Sequence, residues 1–176
     1  MRKLWLIAIL AAATSPAQGA SFQAPLEPAA RGQVQCAAPN VERKTCLALY
    51  SYQVGPDGML QLTTKLLVAP KPEIIMESTS AVEIKDGRVC EIFKMREIID
   101  ADFTMDGKPA AEQLTYLLRD KIEERLRMFA DREACTTYVP NGALLKAEVS
   151  IDGSALPKLD QVVMWVSLED GFRLGR

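Results

Sequence analysis

The chain has 176 residues, 48% of them hydrophobic and 25% charged, with a formal net charge of -2. That is an ordinary globular composition, with no overall electrostatic pull toward nucleic acid or anionic membrane. Histidine is absent, which removes Ser-His and Cys-His nucleophile pairs, histidine general bases and histidine metal ligands.

Arg2 and Lys3 open the chain with positive charge, Leu4 to Ala13 form an apolar run, and Ala17, Gly19 and Ala20 are small. This order reads as a secretory signal over residues 1–20, with an apolar core too short to span a bilayer. No later stretch is long and apolar enough for a membrane helix, so no transmembrane segment is expected once the signal is removed. Residues 21–31, with Pro25, Pro28 and several alanines, read as a flexible N-terminal arm. Residues 32–176 are expected to form a single globular domain.

From there the pattern is that of strands. Lys44 to Val54 is rich in apolar and aromatic residues and is followed by the turn Gly55-Pro56-Asp57-Gly58. In Met59 to Val68, Leu60, Leu62, Leu66 and Val68 alternate with Gln61, Thr63 and Lys65, as in a half-buried strand. Ile74 to Lys85 alternates again, and Asp86-Gly87 marks a hairpin returning through Arg88 to Met95. Asp100 to Lys108 reads as a loop.

Pro109 suits the first turn of a helix. Leu114, Leu117, Leu118, Ile122, Leu126, Phe129 and Ala130 then fall on one helical stripe, predicting a long helix over about 109–133. Strand alternation resumes in Ala143 to Ile151 and Gln161 to Leu168, where Trp165 opposes Val162, Met164 and Val166. The expected fold is α+β: an antiparallel, curved sheet of about six or seven strands with the helix packed on one face.

The cysteines are Cys36, Cys46, Cys90 and Cys135. In an exported protein they are expected to pair, and four cysteines allow three pairings. Sequence proximity favours Cys36–Cys46, and Cys90–Cys135 would tie a strand to the end of the helix. With no Cys-x-x-Cys pair and no histidine, a zinc site is not expected.

No catalytic, metal-binding or cofactor-binding residue is assigned. The cluster Asp100, Asp102 and Asp106 beside Gly107 lacks the glycine and glutamate spacing of a calcium loop. Five Asp-Gly pairs read as turn chemistry. Tyr50, Tyr52 and Trp165 form a candidate binding surface, since tyrosine and tryptophan are over-represented at such surfaces. The sequence thus reads as an exported, periplasmic or secreted, disulfide-stabilised binding or accessory protein of the bacterial cell envelope. It would be non-catalytic, take no cofactor, and bind a protein partner or a small apolar ligand between sheet and helix. The alternatives are a carboxylate-dependent hydrolase and a purely structural envelope domain.

Overall fold

The structure, a computed structural model, describes residues 22–176; the expected signal segment lies outside the described residues. The strands in chain order are β1 (Val34–Ala37), β2 (Thr45–Cys46), β3 (Ala48–Val54), β4 (Leu60–Pro70), β5 (Glu73–Lys85), β6 (Arg88–Ile92), β7 (Asp102–Met105), β8 (Lys108–Pro109), β9 (Glu133–Asn141), β10 (Leu144–Ile151), β11 (Ser154–Ala155), β12 (Gln161–Val166) and β13 (Arg173–Leu174). The helices are α1 (Met95–Ile99) and α2 (Glu112–Leu126).

Eleven strands form one antiparallel sheet, and the pairings of β1 with β12 and of β4 with β5 close eight of them on themselves. Around the ring the order is β1-β3-β4-β5-β6-β9-β10-β12 and back to β1. Each strand therefore neighbours the next in the chain, the layout of an up-and-down β-barrel, which removes the unpaired edges of an open sheet.

This overturns the expected α+β sheet of six or seven strands. The chain is mostly β, and the region from 109 to 133 is only partly helical. Pro109 ends β8, α2 starts at Glu112, a 3-10 turn covers Arg127–Phe129, and Glu133 already belongs to β9. The left-handed backbone of Asp131, at φ 59°, turns the chain out of the helix. The acidic stretch read as a loop contains β7, and Asp106-Gly107 turns it into β8.

Turn chemistry sets the register. Asp86 and Gly87 take φ of 51° and 74°, the doubly left-handed turn that matches strand twist in a two-residue hairpin. Asp106-Gly107 and Asp152-Gly153 repeat it. With register fixed, period-two alternation decides what faces inward. Outward positions along β4, β5 and β10 carry Gln61, Thr63, Lys65, Glu77, Thr79, Lys146 and Glu148, with ion pairs such as Lys65–Glu77 across neighbouring strands. That charged outer face is the inverse of a membrane barrel, whose outer band is apolar. Among the described residues no helix is long and apolar enough to cross a membrane.

Apolar clusters fill the two ends and the flank of the barrel. At the end near the β5–β6 turn, Leu26 and Ala29 pack with Tyr52, Leu60, Val82 and Val89. Leu26 is 0% exposed, so the segment before β1 is a plug within the core, not the loose arm expected of 21–31. Outside the barrel wall, Val34, Cys36, Cys46, Leu49 and Val166 pack beneath Phe172 and Leu174 of the chain end, which is held by the parallel β2–β13 pair. Beyond the opposite end, β5 runs past the ring and pairs with β7. Helix α2 lays Leu114, Leu118 and Ile122 over Ile74, Met76, Ala101 and Phe103 there. Leu117, predicted on the same stripe, is 58% exposed, because the contact face follows the narrow row 114, 118, 122.

Cys36 is bonded to Cys46 and Cys90 to Cys135. Both bridges stand where the meander is interrupted. Neighbours β1 and β3 are separated in the chain by β2, and neighbours β6 and β9 by the whole α1–β7–β8–α2 excursion. Closing such long connections is what loop entropy opposes, and a cross-link within each interruption relieves it. Cys90 and Cys135 are direct cross-strand partners in the β6–β9 register.

Candidate functional site

An interior of eight strands is wide enough either to be filled by side chains or to hold one small ligand. Here a cavity of about 250 Å³ remains inside the barrel. Its walls come from β1, β3, β4, β6, β9, β10 and β12, with Gln35, Tyr50, Tyr52, Thr64, Glu91, Tyr138 and Gln161 as polar groups and Leu62, Ala147, Val149 and Val163 as apolar ones. Phe93, Leu126, Phe129, Ile151 and Leu159 line it at the end covered by the C-terminal turn of α2.

Alternation places these side chains. In the β1–β3 and β3–β4 registers Gln35 faces Tyr50, Tyr50 faces Thr64 and Tyr52 faces Leu62, all on the inner side. In the neighbouring β9–β10 and β6–β9 registers Tyr138 pairs with Ala147 and Glu91 with Ala134. The small Ala134 and Ala147 opposite larger groups leave the space unfilled.

A triangle of polar oxygens, sharing two hydroxyl protons, forms part of the wall. The Tyr52 and Tyr138 hydroxyls both reach Gln35 Oε1, at 3.2 and 3.0 Å, and lie 3.2 Å from each other. Tyr50 donates to Gln161 Oε1 at 3.2 Å. Burial pushes the phenols of Tyr50, Tyr52 and Tyr138 above the usual tyrosine value, so they remain neutral donors and acceptors. Gln35 is 1% exposed and its Nε2 has no hydrogen-bond partner among the described residues. A buried amide donor left unmade costs roughly 1–3 kcal/mol.

Glu91 is the acid of the cavity. Ser80 donates to its Oε2 at 2.6 Å. Desolvation raises its pKa, the Ser80 bond opposing in part. The lining holds no lysine or arginine. Glu97, on α1, is pushed up to about 7 by desolvation first and by the Glu91 charge second, with Lys94 opposing. It lines a separate surface recess with Glu77, Lys94, Arg96, Asp100 and Asp102. The two carboxyls therefore interact without sharing one cleft, and the carboxylates that share the Glu97 recess are Glu77, Asp100 and Asp102.

Of the three aromatic residues singled out in the sequence, the barrel brings Tyr50 and Tyr52 together on the cavity wall. Trp165 also points inward, but one layer deeper, its ring 6.0 Å from that of Tyr52 in the apolar plug. The pocket expected between sheet and helix lies instead inside the sheet itself, with α2 at its mouth. Gln35, Glu91, Tyr138 and Gln161 escaped the sequence reading. A signal was present for Glu91, an acid in step with Val89 on the inner face of its strand. None existed for Gln35, in a strand only four residues long.

Of the acidic cluster, Asp100 and Asp102 line the Glu97 recess together and Asp106 lies apart from it. Asp100 pairs with Arg96, and Asp106 accepts the Glu73 backbone N–H at 3.0 Å. Among the described residues no group of three or more His, Cys, Asp or Glu is arranged to hold a metal ion. No family model matches the chain, and no curated protein or solved structure matches it at a significant level.

Proposed function

We propose that this protein is an exported binding protein that encloses one small, mainly apolar ligand inside its barrel. The observation that carries this is the unfilled interior. A barrel of this strand number can pack its core with side chains, yet here about 250 Å³ stays open in a lining that includes the small Ala134 and Ala147. The lining has the usual make-up of a ligand site, apolar and aromatic with a few convergent polar groups. The two disulfides support residence in an oxidising compartment, in keeping with residues 1–20 acting as a removable export signal before a single domain. A periplasmic or secreted carrier is the role that joins these features.

The test uses N-phenyl-1-naphthylamine, a dye that fluoresces in apolar sites. The intact, disulfide-bonded protein is expected to bind it one to one. Ala134→Phe, which fills the space opposite Glu91, is expected to weaken binding at least tenfold while thermal unfolding stays within a few degrees. Absence of binding, or binding indifferent to this substitution, would refute an interior site. N-terminal sequencing of native material tests export: a mature start near residue 21 is expected, and a retained initiator methionine would refute it.

A further inference from the structure

We propose that the occupant of the barrel is an organic cation, an amine or quaternary ammonium on a compact apolar body, with its charge against Glu91. This deepens the carrier reading above and rests on it. Glu91 alone among the lining residues is an acid, and no lining residue is basic. It takes part in no ion pair among the described residues. Its Oε2 holds the Ser80 hydroxyl, and no protein donor among the described residues reaches Oε1. A carboxylate taken out of water without a counter-charge is costly, and a ligand cation is the missing partner.

The surrounding groups select the same chemistry. Tyr50, Tyr52 and Tyr138 line the space, and an aromatic ring that turns its face to a cation attracts it by roughly 0.5–2 kcal/mol, most strongly where water is excluded. The hydroxyl protons of these tyrosines are already committed, those of Tyr52 and Tyr138 within their group with Gln35 Oε1 and that of Tyr50 to Gln161. What they offer a ligand is therefore lone pairs, which suit N–H donors. Gln35 Nε2, a buried donor with no partner among the described residues, suits an acceptor on the ligand. An anionic headgroup would meet Glu91 with no cation to receive it. The cavity falls just under the roughly 300–1,000 Å³ of ordinary ligand pockets, so the body must be small.

Three near-isosteric probes separate the readings: 4-phenylbutylamine, 4-phenylbutanol and 4-phenylbutyrate, titrated calorimetrically at pH 8. The amine is expected to bind at least tenfold more tightly than the alcohol, with the carboxylate weakest. Glu91→Gln, which keeps the volume and the Ser80 contact, is expected to bring the amine down to the level of the alcohol and leave the alcohol unchanged. The wild-type protein at pH 4 gives an independent check without mutation. There Glu91 is neutral, Ser80, Tyr50, Tyr52 and Tyr138 around it do not titrate, and the nearby Glu97 is neutral as well, so the amine preference should vanish. An alcohol that binds as well as the amine, or an amine preference that survives Glu91→Gln, would overturn the cation assignment while leaving the carrier standing. Failure of all three probes would overturn both.

Discussion

Replacing Cys90 and Cys135 together by alanine should remove about 4 kcal/mol of stability. The bridge closes a separation of 45 residues, and the chain-entropy relation gives about 4 kcal/mol for a loop of that length. The Cys36–Cys46 bridge closes a separation of 10, worth about 3 kcal/mol on the same relation. The structure sharpens this comparison. Cys90 and Cys135 sit opposite each other in the pairing that carries the ring from β6 to β9, and the excursion between them holds α1, β7, β8 and α2. Without the bridge, barrel closure must first bring those distant strands together. Against a typical total of about 5–15 kcal/mol, the loss is large but leaves a folded protein. Guanidinium unfolding followed by tryptophan fluorescence and far-ultraviolet circular dichroism measures it. The double alanine variant should also show a steeper denaturant dependence, because its unfolded chain is free to expand. A loss below about 1 kcal/mol, or a larger loss from Cys36 and Cys46 than from Cys90 and Cys135, would refute the loop-closure argument.

Leu26→Ala, at the fully buried plug residue, should cost about 3 kcal/mol in the same unfolding assay; an effect below about 0.5 kcal/mol would show that the segment before β1 is not part of the core. Glu97 has a folded pKa of about 7, above its ordinary 4.5, so the folded state holds more protons than the unfolded one between those values and stability should fall as pH rises through them. Glu97→Gln should flatten that slope and, because the group is partly exposed and screened, stabilise the protein at pH 8 by about 1 kcal/mol or less; a variant less stable than wild type at pH 8 would contradict the sign. Asp160 behaves oppositely. The Val149 backbone N–H and Lys146 hold its carboxyl below the ordinary 3.8, so its contribution is present above that value and lost as pH falls through the lowered one, and Asp160→Asn should unfold with a weaker acid dependence.

Local chemistry was open to reading from the residues alone. Period-two alternation put Leu145, Ala147, Val149 and Ile151 on one face of a strand, and the structure turns the last three into the cavity. Asp86-Gly87 defined a hairpin because two adjacent residues that tolerate positive φ leave few other backbones. A helical stripe through Leu114, Leu118 and Ile122 was legible because each recurs on one side of a turn of 3.6 residues. Closure was not legible. The strands that complete the ring are β1, four residues long, and β9, whose inward Ala134, Thr136 and Tyr138 are too small or too polar to give an apolar beat. Without those two the remaining strands read as an open sheet needing a helix to cover it.

The amino-acid order determined several of the longer strands, such as β4, β5 and β10, the Asp-Gly turns and the greasy face of each of those strands, since these follow from neighbours within a few positions. Only the tertiary structure decided that β1 meets β12, because that contact joins residues far apart in the chain and no local pattern encodes it. The inside of a barrel exists only once the ring is shut, so the meeting of Gln35, Tyr52, Tyr138 and Glu91 around one cavity is a property of closure.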